Sequence, residues 1–170
     1  RGINVGGHNK LPMADLRAIL EGLGAADVAT YIQSGNAVFS GDGAAQEWRE
    51  KIQAAILDGF GISPDVFVLS RAVFIDALDA NPFQGSVEDP KTLHLCFLRD
   101  PVSQDVLDKL TAAARQQEEL RMVGDVLYLF TPNGFGRSDL AGKLGRVLKT
   151  PMTARNLRSC HKIKDLAVKL

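Results

Sequence analysis

Two stretches of this chain, roughly 90 residues apart, pass through the same succession of patterns, and that recurrence narrows the folds open to it. The first begins with a β-like run, Arg1 to Val5. Pro12 suits the opening of a helix, where its missing N–H costs nothing, and Met13, Leu16, Ile19, Leu20 and Leu23 follow at helical spacing up to Gly24. Val28 to Gln33 and Ala37 to Ser40 read as strands around a Ser34-Gly35-Asn36 turn. Trp48, Ile52, Ala55 and Ile56 mark a second helix ended by Gly59 or Gly61, and Val66 to Leu69 a further strand. The second stretch repeats the order. Thr92 to Leu98 is a strand, Pro101 and Ser103 open a helix carrying Val106, Leu107 and Leu110, and Glu119 to Val123 pairs with Val126 to Phe130 around Gly124-Asp125. Leu140, Leu144, Val147 and Leu148 then mark a helix, and Thr150 to Ala154 a short strand.

The expected fold class is therefore α+β, with two consecutive ferredoxin-like βαββαβ units and mainly antiparallel sheets. Extra helices fall between the units (Ser70 as cap, then Phe74, Ala77 and Leu78, stopped by Asn81-Pro82) and at the C-terminus (Asn156 as cap, then Leu157, Cys160, Ile163 and Ala167). The expected halves are residues 1–82 and 91–170, with the turn-rich segment 83–90 between them and a structural duplication behind them. A single mixed sheet is the alternative.

The 170 residues, 45% hydrophobic and 24% charged, fit a soluble globular protein. No apolar run approaches the ~20 residues of a membrane span, and no signal peptide is visible. The sequence opens at Arg1, inside a strand pattern, so residues are expected upstream. Two cysteines, Cys96 and Cys160, make no disulfide framework and fit a reducing cytoplasm. The zero net charge hides an asymmetry: nine of the twenty basic residues and two of the twenty acidic ones fall in residues 136–170, a charge of +7 against −7 for the rest. Such a field favours an anionic ligand or an acidic partner, or belongs simply to solvated helix faces.

The topology also makes a spatial statement. In a βαββαβ unit the end of the first strand and the hairpin after the second lie at one edge of the sheet. Asn4, Gly6, Gly7 and Asn9 should then sit beside Gln33, Ser34, Gly35 and Asn36. Glycines there let backbone N–H groups approach a ligand, and the next helix offers its positive end. The competing reading is that Gly and Asn only form turns. A second candidate is Pro132 to Ser138, where Asn133, Gly134, Gly136 and Ser138 precede a helix and Arg137 can pair an oxyanion. Thr153-Ala154-Arg155-Asn156 is a third polar cluster, with Arg155 and Asn156 as ligand candidates. The Pro132 to Ser138 stretch is not a P-loop, and Gly134-x-Gly136 has Asp139 where a dinucleotide fingerprint needs glycine. His8, His94 and His161 stand far apart, no Gly-x-Ser-x-Gly elbow exists, and neither a metal site nor a cofactor is expected.

Arg1-Gly2-Ile3-Asn4-Val5-Gly6-Gly7, Tyr31 to Phe39, Pro132 to Ser138 and Thr153 to Asn156, taken in order, resemble the signatures of a bacterial family of unknown function, DUF1697. The resemblance spans nearly the whole chain. This chain departs from it in carrying His8 where the family usually has Lys, Asp139 where Lys is common, and Leu157 where Trp is frequent. The resemblance implies an α+β fold with ferredoxin-like halves and brings no established activity. The leading functional expectation is a cytoplasmic module binding a small anionic, phosphate-bearing ligand. The alternatives are nucleic-acid binding through the basic C-terminal helices, with few aromatics to stack bases, and a protein-interaction role. Catalysis, oligomeric state and ligand identity stay open.

Overall fold

The computed structural model describes residues 1–85, 87–115 and 117–170. It is a mixed α+β protein with antiparallel sheets and, among the described residues, six α-helices. The chain divides into two compact units, one of residues 1–74 with 162–170, the other of residues 75–161. The expected boundary segment 83–90 contains Ser86, which lies outside the described residues.

The first unit carries helix α1 (Met13–Gly22), strands β1 (Ala26–Tyr31) and β2 (Asn36–Ser40), and helix α2 (Ala45–Phe60). Met13, Leu16 and Leu20 of α1 and Trp48, Ile52 and Ile56 of α2 turn their apolar stripes inward, onto a core that includes Ile3, Leu11 and Ala25. Burial of such stripes, worth about 1.5–3 kcal/mol per large side chain, is what holds short helices in place. Gly61 closes α2 in the left-handed conformation (φ 64°), which a Cβ would disfavour. Gly41 is needed for space: a β-carbon there would stand 2.4 Å from Cζ2 of Trp48, whose indole donates to the Asp42 carbonyl at 2.9 Å.

This unit differs from the expected ferredoxin-like copy. Its sheet has two strands, β1 and β2, and residues 1–5 and 66–69, expected as strands, belong to no named strand. The two segments do come together, with the Arg1 guanidinium 3.9 Å from the Asp65 carboxylate. Short extended runs at a sheet margin gain little from propensity alone, and regular pairing depends on a well-matched neighbour. Here residues 4–9 fold back on themselves instead. The turn between β1 and β2 is also displaced: Tyr31 pairs with Asn36, so the loop is residues 32–35 and Asn36 belongs to β2.

The second unit completes a βαββαβ order. Helix α3 (Arg71–Asp79) enters it, followed by β3 (Leu93–Leu98), α4 (Gln104–Ala113), β4 (Glu119–Val123), β5 (Val126–Phe130), a 3-10 turn (Phe135–Arg137), α5 (Asp139–Leu148) and β6 (Met152–Asn156). Helix α6 (Leu157–Ala167) leaves it. The four strands form one antiparallel sheet in the order β4-β5-β3-β6. The Gly124 turn (φ 55°) joins β4 to β5. Leu127, Leu129 and Cys96 pack with Leu110 of α4 and Leu140, Leu144 and Leu148 of α5. The alternate residues Leu93, Leu95, Phe97 and Tyr128 are buried as well, and the Tyr128 hydroxyl donates to the Ala77 carbonyl at 2.5 Å. No helix among the described residues is long and apolar enough to cross a membrane.

Candidate functional site

Residues 4–9 form a miniature hairpin. Val5 bridges His8, the His8 N–H donates to the Val5 carbonyl at 3.0 Å, and that of Asn4 to the Asn9 carbonyl at 3.1 Å. Gly6 and Gly7, with φ of 59° and 80°, supply the two positive dihedrals such a two-residue turn demands. Asn4 locks this hairpin to the next one. Its Nδ2 donates to the Leu11 carbonyl (2.8 Å) and the Gln33 carbonyl (2.9 Å), and its Oδ1 accepts from the Leu11 N–H (2.9 Å). Asn4 itself stands at φ 56°, a conformation Asn tolerates better than most residues. The two loops are thus held together through the side chain of Asn4, engaged on backbone, and not through a first strand in the sheet.

The β1–β2 loop has the same character. Asn36 is buried, and its Nδ2 donates to the Tyr31 carbonyl (3.1 Å) and the Ser34 hydroxyl (3.0 Å). Gly35 (φ 79°) fits only without a side chain, because a β-carbon would come 2.6 Å from Cδ1 of buried Ile3. Gln33 is exposed and offers its carbonyl to Asn4.

The second cluster sits at the entrance to α5. Thr131 ends β5 with its N–H on the Thr92 carbonyl (2.8 Å), and the Gly134 N–H closes a turn on the Thr131 carbonyl (2.9 Å) at φ 95°. The 3-10 turn Phe135–Arg137 follows, with Gly136 exposed at its centre. Ser138 is buried and caps α5, its Oγ accepting from the Ala141 N–H at 2.9 Å. That bond satisfies one of the amides a helix start leaves unpaired. Asp139, in the first turn, lies 3.6 Å from the Arg115 guanidinium, both groups exposed. Asn133 and Arg137 are exposed, and Arg137 makes no ion pair among the described residues.

Arg155 and Asn156 come from β6. The half-buried Arg155 donates to the Thr153 hydroxyl (2.8 Å) and the Ala154 carbonyl (2.9 Å), and burial lowers the pKa of its guanidinium while Cys160 opposes that shift. Asn156 caps α6, its Oδ1 accepting from the Ser159 N–H at 2.8 Å. One residue absent from the expected clusters links these pieces. His94 of β3 is the cross-strand partner of Asn156, and its ring lies 4.2 Å from that of Phe135. His94 is buried, its Nδ1 has no hydrogen-bond partner among the described residues, and desolvation lowers its pKa to about 4. The signal for it was a histidine in the strongly apolar run Leu93 to Leu98. The thiols of Cys96 and Cys160 are likewise buried, and burial raises both to about 12.

Comparison with known proteins places these loops in context. The family model described as a protein of unknown function, DUF1697, matches residues 1–128, which includes the first cluster and stops short of Pro132. A conserved bacterial protein from Streptococcus pneumoniae is similar in structure, with a TM-score of 0.76 and 26% sequence identity over 98% of this chain and 94% of that one. No curated protein matches the chain significantly.

Proposed function

This chain belongs to the DUF1697 family of proteins of unknown function, and we propose that it binds a small anionic, phosphate-bearing ligand at the start of α5. One observation carries the reading. Arg137 presents an exposed guanidinium, with no ion pair among the described residues, on the turn whose next residue caps α5. A helix start carries a partial positive charge, and a guanidinium pairs an oxyanion through two parallel donors. Asp139 would oppose an anion there, and the Arg115 guanidinium 3.6 Å from its carboxylate offsets that charge. In this reading Asn133, Gly134 and Gly136 shape the approach, and Asn4, Gly6, Gly7, Gln33, Ser34, Gly35 and Asn36 hold the loops of the first unit in form. Arg155 and Asn156 support β6 beneath the turn, through His94 and Phe135. Any catalysis would work by positioning and anion stabilisation, not by a triad.

The same proposal takes the halves 1–82 and 91–170 as copies of one ferredoxin-like plan, in a cytoplasmic protein. The second unit's sheet order supports a copy there, and the nearness of Arg1 and Asp65 supports an abbreviated one in the first. Titration with inorganic phosphate, nucleotides and sugar phosphates tests the binding. Arg137→Ala should weaken binding by about tenfold or more with an unchanged melting temperature. A chain that binds none of these ligands overturns the proposal.

A second reading rests on Arg146 and Lys149 of the α5 end and Arg158 and Lys162 of α6, all exposed. Together they favour nucleic acid or an acidic partner. Nucleic-acid binding would weaken steeply as salt is raised, because phosphate contacts release counterions.

A further inference from the structure

Ile32 is held where an isoleucine is least at ease. It lies in the β1–β2 loop at φ 50°, left-handed backbone that a β-branched side chain resists, and its side chain is 51% exposed. Burial therefore does not compensate the strain, and Gly or Asn would suit the turn better. Strain kept without a folding return marks positions held for contact. Beside Ile32 stands Gln33, whose carbonyl accepts from Asn4, and the residue after Asn4 is Val5, 65% exposed. Two exposed aliphatic residues are thus the chain neighbours of the Asn4–Gln33 clamp between the hairpins. Of the two cations in residues 1–13 and 28–40, Arg1 lies 3.9 Å from the Asp65 carboxylate, and Lys10 makes no ion pair among the described residues. Lys10 is exposed and fixed between Asn9, whose carbonyl takes the Asn4 N–H, and Leu11, which Asn4 also holds.

We propose that the paired hairpins 4–9 and 31–36 form a binding surface for an amphiphilic anion, an apolar or aromatic body bearing a carboxylate, sulfonate or phosphate. Ile32 and Val5 pack the body, and Lys10 receives the charge. Asn4, Gly6, Gly7 and Gly35 preorganise the surface, so that little conformational freedom is lost on binding. This proposal does not depend on the anion reading made at the α5 start.

The test uses the full chain with anilinonaphthalene sulfonate as the probe, followed by methyl NMR of Val5 and Ile32. Saturable shifts centred on those methyls are expected. Ile32→Gly should melt higher than the parent, since it relieves the strained dihedral, yet bind the probe about tenfold more weakly. Lys10→Glu should weaken binding without moving the melting temperature. The proposal is overturned if the shifts lie elsewhere, if Ile32→Gly binds as the parent does, or if Ile32→Gly melts lower, which would make Ile32 a packing residue.

Discussion

The two glycine-bearing loops look alike in sequence and differ in where their polar groups go. In the first unit the amides of Asn4 and Asn36 are engaged with backbone and a neighbouring hydroxyl, and the glycines serve turns or a tight contact with Ile3. At the α5 entrance the buried polar residue is also structural, as a cap, but the adjoining cation faces solvent. Small polar residues around glycines are therefore scaffold in one place and, in the other, scaffold plus a charge with no ion pair among the described residues. The contrast singles out Arg137, the motif residue whose charge faces solvent, as the one on which the proposed anion binding rests.

Removing the clamp is the severest way to test this contrast. Asn4→Ala loses three hydrogen bonds and puts Ala at φ 56°, and should cost about 2–4 kcal/mol. Urea unfolding measures it, and a cost below about 1 kcal/mol would mean the hairpins are not locked through Asn4. Acid should act on the second unit through His94. Between pH 6.5 and about 4 the unfolded imidazole binds a proton that the buried one refuses, so stability falls as pH drops through that window. The loss should reach roughly 2–3 kcal/mol, and His94→Phe should flatten that slope. A slope unchanged by the substitution would place the acid sensitivity elsewhere. The smallest effect is expected at the cap, where Ser138→Ala should cost about 1 kcal/mol and Ser138→Asp should largely restore it. A neutral Ser138→Ala would show that the α5 entrance does not depend on its cap.

Much of the fold was legible because its signals are local. The stripes Met13-Leu16-Leu20 and Leu140-Leu144-Leu148 fix two helices, and Gly124-Asp125 between two β-runs fixes the β4–β5 hairpin. The Asn156 cap was readable for the same reason. The segments 1–5 and 66–69 misled because a short β-rich run reports a preference for extension and says nothing about a partner. The turn at 32–35 was expected two residues late at its start and one at its end because the positive dihedral falls on Ile32, a residue type that predicts the opposite. In the candidate sites, glycines and asparagines were visible as a cluster. Their engagement was not, since it depends on which carbonyl lies within 3 Å of each amide, a fact of packing. His94 was hidden for the converse reason: only pairing brings it beside Asn156 and under Phe135.

The chain's two cysteines, Cys96 on β3 and Cys160 on α6, give the molecule a property of practical use. With both thiols sealed from solvent and raised to about 12, almost no thiolate exists at neutral pH to meet an alkylating reagent. Both belong to the second unit, and the first has none. Their rate of labelling is thus a clock for how often the four-stranded sheet and its covering helices come apart, read without a mutation and blind to fluctuations of the hairpins in the other half.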